Sequence, residues 1–349
     1  MSEDPRKGKS VVRKKRETAT EPTLLTYRLD DAYDVFFAAK KAEGMRERTL
    51  DGYNADWRYF TEWLRKEYPH VDKINEVTAS VIREYVNYMS TKKKYEGVEN
   101  RVAETGLSPY TVALRLRTLR TIFNFLAREE MISSNPVGTI KQPRFDNETK
   151  DTFTDDEIQR LLAAPDVSTY AGLRDRTLML VLADGGLRIQ EALRLTTEHI
   201  DVKSRCIHLP ASLNKSRKPR VIPLSPETVR ALLTLINENK RYFDSDHVFL
   251  ANYGEPLKAD HFRKRLRQFA RDAGIPDDKQ VSPHRFRAYF CTSYLMNGGD
   301  LFSLQRIVAH SSLETTKRYV KLDDESLRKQ HTQFSPLARL GISRVNKRR

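Results

Sequence analysis

The sequence predicts a mainly α-helical chain of two domains, a four-helix bundle followed by an α+β domain with a small antiparallel sheet. Three observations carry this expectation. Apolar residues recur at spacings of three and four from Leu29 to Leu126, the period of helices that bury one face. Two strand-length apolar runs, Cys206 to Leu209 and Arg220 to Leu224, flank a basic turn in the second half. Between the halves, Asn135-Pro136 and the polar stretch Lys141 to Lys150, with Pro143 inside it, mark a connector.

Each element has its own signal. Ala32, Val35, Phe36 and Ala39 give a helix over Leu29 to Ala42, stopped by Gly44. A second begins at Thr49, an expected N-cap, and carries Leu50, Tyr53, Trp57, Phe60 and Leu64 as its inward face. Pro69 closes that region, and a third helix from Thr78 buries Ile82, Tyr85, Val86 and Met89. Residues 91–107 are polar and read as a loop. Ser108-Pro109 supplies an N-cap and a first-turn proline for a fourth helix, with Val112, Leu116, Leu119, Phe123 and Leu126 inward and Arg115, Arg117 and Arg120 directed away. Trp57, Phe60 and Phe123 are expected in the core.

The second half opens with the capping box Thr154-Asp155-Asp156-Glu157 before Ile158, Leu161 and Leu162. Leu173 to Ala183 is apolar enough to be buried all round, and Gly185-Gly186 breaks it, leaving Arg188 at the start of the next helix. Ser225-Pro226 starts another, with Val229, Leu232, Leu233 and Ile236 inward, and His247 to Leu250 is a strand candidate. The remainder reads as helices punctuated at Pro276, Pro283 and Gly298-Gly299, ending near Leu327.

Composition narrows the partners. The chain has 349 residues and a formal net charge of +15, which favours an anionic partner, nucleic acid first. No run of 18 apolar residues provides a membrane span, and the charged N-terminal residues lack the apolar core of a secretory signal. Cys206 and Cys291 form no ligand spacing, suit a reducing cytoplasm, and are expected as buried apolar residues. Residues 1–22 form an expected basic arm and 331–349 a basic tail; both suit a solvated tail or a sequence-independent grip on phosphate. The histidines show no metal-ligand spacing and no glycine-rich phosphate loop occurs, so neither metal nor nucleotide cofactor is expected.

The chemistry-bearing residues lie in order: Gly185-Gly186-Leu187-Arg188-Ile189-Gln190-Glu191; Lys215 in the run Asn214 to Leu224; His284-Arg285-Phe286-Arg287; Ala309-His310; and Tyr319. Singly, each has a bland reading. A histidine and an arginine three apart arise by chance, a helical tyrosine is commonly core, and a lysine on a basic turn is commonly a solvated charge. Their joint order and spacing resembles the tyrosine recombinases, the integrase family of DNA breaking-and-rejoining enzymes, over residues from about 25 to 325.

The resemblance implies a core-binding (SAM-like) helical domain at 23–142, a linker at 143–151 and a catalytic domain of the DNA breaking-rejoining enzyme fold at 152–330, closing as a clamp on duplex DNA. It also implies the roles. Arg188 and Arg287 would hold the non-bridging phosphate oxygens, since guanidinium binds them in pairs and stays charged. Tyr319 would be the nucleophile, forming a 3′-phosphotyrosyl link that conserves the phosphodiester energy. His284 would be the general base, Lys215 the general acid, with Lys218 a rival for that part, and His310 a hydrogen-bond donor to the phosphate. Glu191 would support the site. Arg115, Arg117 and Arg120 read either as a solvated basic face or as DNA contacts, and the rest of the chain favours contact. Ala309 stands where the family commonly has glycine, a change expected to be tolerated in a helix; Ala288 and Gln190 are further departures that remove no reactive group. Implied partners are a double-stranded DNA recombination site, a homotetramer on paired sites exchanging strands through a Holliday junction, and an accessory directionality factor. The basic arm and the long 91–107 loop favour the integrase, transposase or resolvase of a mobile element. A type IB topoisomerase-like enzyme and a catalytically inactive DNA-binding regulator of the same fold are the alternatives. A short helix over Leu322 to Gln330, followed by Phe334, Leu337 and Leu340, would dock on a neighbouring protomer.

Overall fold

The computed structural model describes residues 26–91, 106–143, 152–214, 217–310, 312–320, 328 and 331–337. The basic arm, most of the 91–107 loop, Lys215, most of the 143–151 connector, most of Leu322 to Gln330, and the end of the tail lie outside them. The chain divides into two compact units, 1–147 and 148–349. Among the described residues, no helix is long and apolar enough to cross a membrane.

The first unit contains α1 (Leu29–Ala42), α2 (Glu47–Glu67), α3 (Ala79–Thr91) and α4 (Pro109–Arg128). Helix α4 packs on each of the other three, so its apolar residues form the middle of the bundle. Leu116, Leu119 and Phe123 are fully buried there. Large rings fill the space between helices: Tyr33 stacks on Trp57 with centroids 4.9 Å apart, and Phe60 meets Tyr85 edge-on at 5.2 Å. Offset and edge contacts of this kind suit the ring quadrupole. Ser108 caps α4 as expected, its hydroxyl accepting from the Thr111 amide at 3.2 Å. Thr49 does not cap α2, which starts two residues earlier with Arg46 at the N-cap and no side-chain cap. Acid in the first turn (Glu47) and base in the last (Arg65, Lys66) complement the helix dipole and make the threonine cap dispensable.

The second unit is built around α6 (Tyr170–Gly185), which runs against α8 (Pro226–Tyr242) and α10 (Pro283–Met296). Between these neighbours most of α6 is buried, including the run Leu178 to Leu182. Its charged pair Arg174 and Asp175 is buried too. Arg174 donates to Asp175 at 2.8 Å and to the Leu250 carbonyl at 3.0 Å, while Arg265 of α9 (Ala259–Asp272) ion-pairs with the other Asp175 oxygen. Helix α5 (Asp155–Ala163) opens on the expected capping box, with Glu157 reaching back to the Thr154 amide at 2.8 Å.

A three-stranded antiparallel sheet, β1 (Ile200–Asp201), β2 (Cys206–Leu209) and β3 (Arg220–Pro223), lies beside this core. Its register pairs Ile207 with Ile222, and both are fully buried; a one-residue slip would expose both. Strand β1 had no periodic signal because two residues have no period. The expected strand at 247–250 is instead a segment that bends at Val248 and Phe249 and is held by isolated bridges, Thr196 to His247 and Leu250 to Pro256. Cys291 is buried as expected, but Cys206 is only half-buried at the start of β2. The unit ends in α7's successors: α7 (Ile189–Leu193) follows α6, and α11 (Leu301–Val308) and α12 (Leu313–Lys317) follow α10.

Candidate active site

Gly186 fixes the first turn of the site. It caps α6 at φ +60°, and a Cβ there would lie 2.4 Å from the Phe290 ring, so both conformation and space require glycine. The chain then reverses and sets Arg188 as the N-cap of α7. Lacking a hydroxyl cap, α7 uses Glu191, which accepts from the Arg188 amide at 2.9 Å through Oε2 and from the Arg188 Nη1 at 2.9 Å through Oε1. Glu191 is 2% exposed. Burial alone would raise its carboxyl pKa, but Arg220, the Arg188 amide and the Arg188 guanidinium hold it below the usual carboxylate range.

Arg220, at the start of β3, was not marked as functional by the sequence. Its Nη2 donates to Glu191 Oε2 at 2.7 Å and its Nη1 to Asn214 Oδ1 at 3.2 Å. Asn214 in turn donates to the Lys218 carbonyl at 2.6 Å. The two ends of the turn that carries Lys215 are thus tied to the helix that carries Arg188. Lys215 itself is outside the described residues. Lys218 lines an open groove with His208, Arg220, Arg306 and His310.

Pro283 occupies the first turn of α10, and His284 and Arg287, three apart, share a face of it. Arg287 is 1% exposed. Its Nη1 donates to the Gly186 carbonyl at 2.6 Å and its Nη2 to the Val308 carbonyl. One guanidinium therefore joins the turn before Arg188 to the turn before His310. Burial, then the charge of Arg188, pushes its pKa down to about 10, still charged at neutral pH. His284 keeps solvent access, yet the protein around its ring, then Arg287 and Arg188, lower its pKa.

His310 follows the C-cap of α11. Its backbone is held on both sides by Gln305: the His310 amide donates to the Gln305 carbonyl at 3.2 Å, and the Gln305 side chain donates to the His310 carbonyl at 3.2 Å. Desolvation, followed by Arg287, Arg188 and other cations, takes the imidazole pKa to about 4, so the ring is neutral in ordinary buffer. Ala309 corrects an expectation. It is not helical but sits at φ +48°, ψ 56°, where a Cβ is strained.

Tyr319 lies in the turn just after α12 rather than within a helix. Its ring stacks on His310 with centroids 6.0 Å apart and planes 14° from parallel. It packs against a small cluster of Cys291, Leu295, Leu304 and Val308. Burial and Cys291 push its hydroxyl pKa up, opposed by Arg287 and Arg188. Five of the six expected catalytic residues are thereby linked through hydrogen bonds, stacking or mutual electrostatics. Among the described residues, no three His, Cys, Asp or Glu side chains group as metal ligands would.

Arg115, Arg117 and Arg120 of α4 do not form one free basic face. Arg115 is half-buried, 3.7 Å from Asp56 and 4.1 Å above the Tyr59 ring. Arg120 donates to the Ile140 carbonyl at 2.6 Å. Arg117 is exposed.

The two units match two family models: residues 31–142 match the phage integrase SAM-like domain and residues 151–326 the phage integrase family. The chain belongs to the phage integrase family, the tyrosine recombinases. It is 28% identical over 316 residues to the tyrosine recombinase XerD of Shewanella oneidensis, covering 89% of this chain and 98% of that protein. It is 26% identical over 300 residues to XerD of Staphylococcus aureus, covering 85% and 95%. Among solved structures, the Tn1549 transposon integrase in complex with transposon right end DNA shares the fold at a TM-score of 0.68 and 20% identity, covering 88% of this chain and 99% of that one.

Proposed function

We propose that this chain is a site-specific DNA recombinase working through Tyr319. In this reading the Tyr319 oxygen attacks the scissile phosphorus, its proton passing to His284. The bond from phosphorus to the 5′-oxygen breaks as the 3′-phosphotyrosyl bond forms, and Lys215 protonates the leaving oxygen. Arg188 meets the phosphate from its open side, and Arg287 offers the donors that the Gly186 and Val308 carbonyls leave. Both oppose charge that grows on the non-bridging oxygens. Neutral His310 adds one N–H. The attacking bond energy is kept in the ester, so a 5′-hydroxyl from a partner strand can reverse the step.

The observation that carries this reading is the Arg287 bridge. It ties the turn before Arg188 to the turn before His310, from distant parts of the sequence, and Tyr319 stacks on the His310 ring. Paired sites, four protomers, a Holliday junction and an accessory directionality factor complete the proposal. So does service to a mobile element, supported by the likeness in fold to the Tn1549 integrase and by the basic N-terminal residues. A DNA substrate of this kind places the protein in the cytoplasm. The first unit, with Arg117, takes the DNA-binding role, and the tail beyond Tyr319 the contact between protomers.

The test uses nicked duplexes enriched from a random pool by binding to the wild-type chain. A nick beside the cleaved bond lets the short strand diffuse away and traps the adduct. The reading expects a covalent complex mapping to Tyr319 and absent in Tyr319→Phe; an adduct at any other residue would overturn it.

A further inference from the structure

Thr316 has no part in the chemistry above, yet it touches both His310 and Tyr319. It is 0% exposed on α12. Its hydroxyl lies 3.0 Å from His310 Nδ1, and its carbonyl accepts from the Tyr319 amide at 3.0 Å. We propose that Thr316 is a positioning residue that fixes His310 as the tautomer with its proton on Nε2 and anchors the turn of the nucleophile to that same ring. The proposal rests on the recombinase reading for its purpose, and on the hydrogen-bond geometry for its content.

A neutral imidazole carries a single N–H, on one ring nitrogen or the other, and the second nitrogen accepts. A buried hydroxyl must place its own proton on an acceptor. Among the described residues, the hydrogen-bond partner of the Thr316 hydroxyl is His310 Nδ1. The hydroxyl proton therefore goes to Nδ1, which must be the acceptor, and the ring proton is left on Nε2. That is the arrangement a phosphate oxygen needs, because an oxygen anion would be repelled by a bare nitrogen lone pair. The neutrality of His310 gives the tautomer its importance: an imidazolium would donate from both nitrogens whatever Thr316 did.

The second contact acts on geometry. The Tyr319 ring lies against the His310 ring, and the Thr316 main chain holds the turn beginning three residues before it. Motion of α12 that displaced Tyr319 would therefore also release His310. Donor and nucleophile are set by one residue, so that one is not in place without the other.

The experiment compares the full chain with Thr316→Val, which keeps the shape and removes the hydroxyl, and Thr316→Ser, which keeps the hydroxyl. The His310 tautomer is read from side-chain nitrogen–hydrogen correlations in nitrogen-15-labelled protein, with His310→Gln identifying the signal. Wild type and Thr316→Ser should show protonated Nε2 and bare Nδ1, and Thr316→Val a mixture of the two forms. On the nicked duplexes, Thr316→Val should slow single-turnover adduct formation about tenfold, as expected for a mis-set transition-state donor, with DNA affinity unchanged and Thr316→Ser restoring the rate. A wild-type ring protonated on Nδ1 would overturn the proposal, even if Thr316→Val failed to fold. So would a folded Thr316→Val that retains the wild-type tautomer. Absence of any adduct from the wild-type chain would remove the recombinase reading instead, and the tautomer measurement would still decide the role of Thr316.

Discussion

Glu191 and Arg220, 29 residues apart in sequence, form an ion pair of 2.7 Å with side chains 3% and 5% exposed. Because Arg188 takes the other carboxylate oxygen, one buried negative charge stands between two guanidinium groups, and the third, Arg287, is close enough to feel all three groups. Removing the carboxylate would leave like charges facing each other out of water. Glu191→Ala should therefore cost about 3–5 kcal/mol of stability, the range for breaking a buried pair on one side. Chemical denaturation measures this, and a loss below about 1 kcal/mol would show that the pair is effectively solvated.

The strain at Ala309 gives a prediction of the opposite sign. A left-handed residue with a Cβ costs roughly 1–2 kcal/mol, and glycine does not meet that cost. Ala309→Gly should raise the melting temperature and stabilise the chain by about 1 kcal/mol, less the entropy glycine restores to the unfolded state. An unchanged or lower melting temperature would mean that the turn relaxes around alanine.

The Ala309 case also shows where the sequence was legible and where it was not. Helices with a long periodic face were read closely: α1 spans the expected residues, and the caps at Ser108, Thr154 and Ser225 all form. The residues that carry charge chemistry were visible because their order is distinctive. What stayed hidden depends on contacts distant in the chain. Arg220 looked like the first residue of a strand, since nothing local to it announces Glu191. Thr316 was one threonine of a pair, and only the fold places one of them at His310. Ala309 was misread because a helix C-cap and a helix interior differ by a residue or two. Arg115 and Arg120 looked free because their acceptors, Asp56 and the Ile140 carbonyl, come from other segments of the bundle.

Acid should weaken the protein through His310. Its folded pKa of about 4 lies below the ordinary histidine value of 6.5, so between those values the unfolded chain binds the extra proton and the folded chain does not. Stability from this group is fully present above pH 6.5 and is lost as pH falls toward 4. His284, also lowered, adds in the same direction. Replacing His310 with glutamine should make the denaturation midpoint fall less between neutral pH and the acid end of that window than it does in wild type. Identical pH dependence in the two proteins would refute the assignment.

Transition-state holding by the paired arginines gives a kinetic prediction. Arg188→Ala should slow adduct formation by a factor worth ~3–4 kcal/mol, the scale of a lost oxyanion donor, with DNA binding little changed. Arg287→Ala should do the same and also destabilise the fold, because its guanidinium holds the Gly186 and Val308 carbonyls. A denaturation curve beside the single-turnover rate separates the two. Wild-type stability in Arg287→Ala would mean that the Arg287 bridge does not contribute to folding.

The arginines of α4 should separate by the same logic. Arg117 is exposed and has no side-chain partner among the described residues, so Arg117→Ala should leave stability within about 0.5 kcal/mol. If it meets a DNA phosphate, its loss should weaken binding uniformly across sequences and reduce the slope of log affinity against log salt by about one. Arg115 and Arg120 differ. Arg115→Ala removes the ion pair 3.7 Å from Asp56, which keeps its hydrogen bond from Thr118 at 2.7 Å, and strips the face of Tyr59. Arg120→Ala removes the side-chain donor from the Ile140 carbonyl. Each should destabilise the bundle by about 1–3 kcal/mol, and any loss of DNA affinity should follow the loss of folded protein. Measuring stability and salt slope on all three single variants decides between the two roles. If Arg115→Ala or Arg120→Ala kept full stability and still lost a unit of salt slope, those side chains would be contacting DNA rather than holding the helices together.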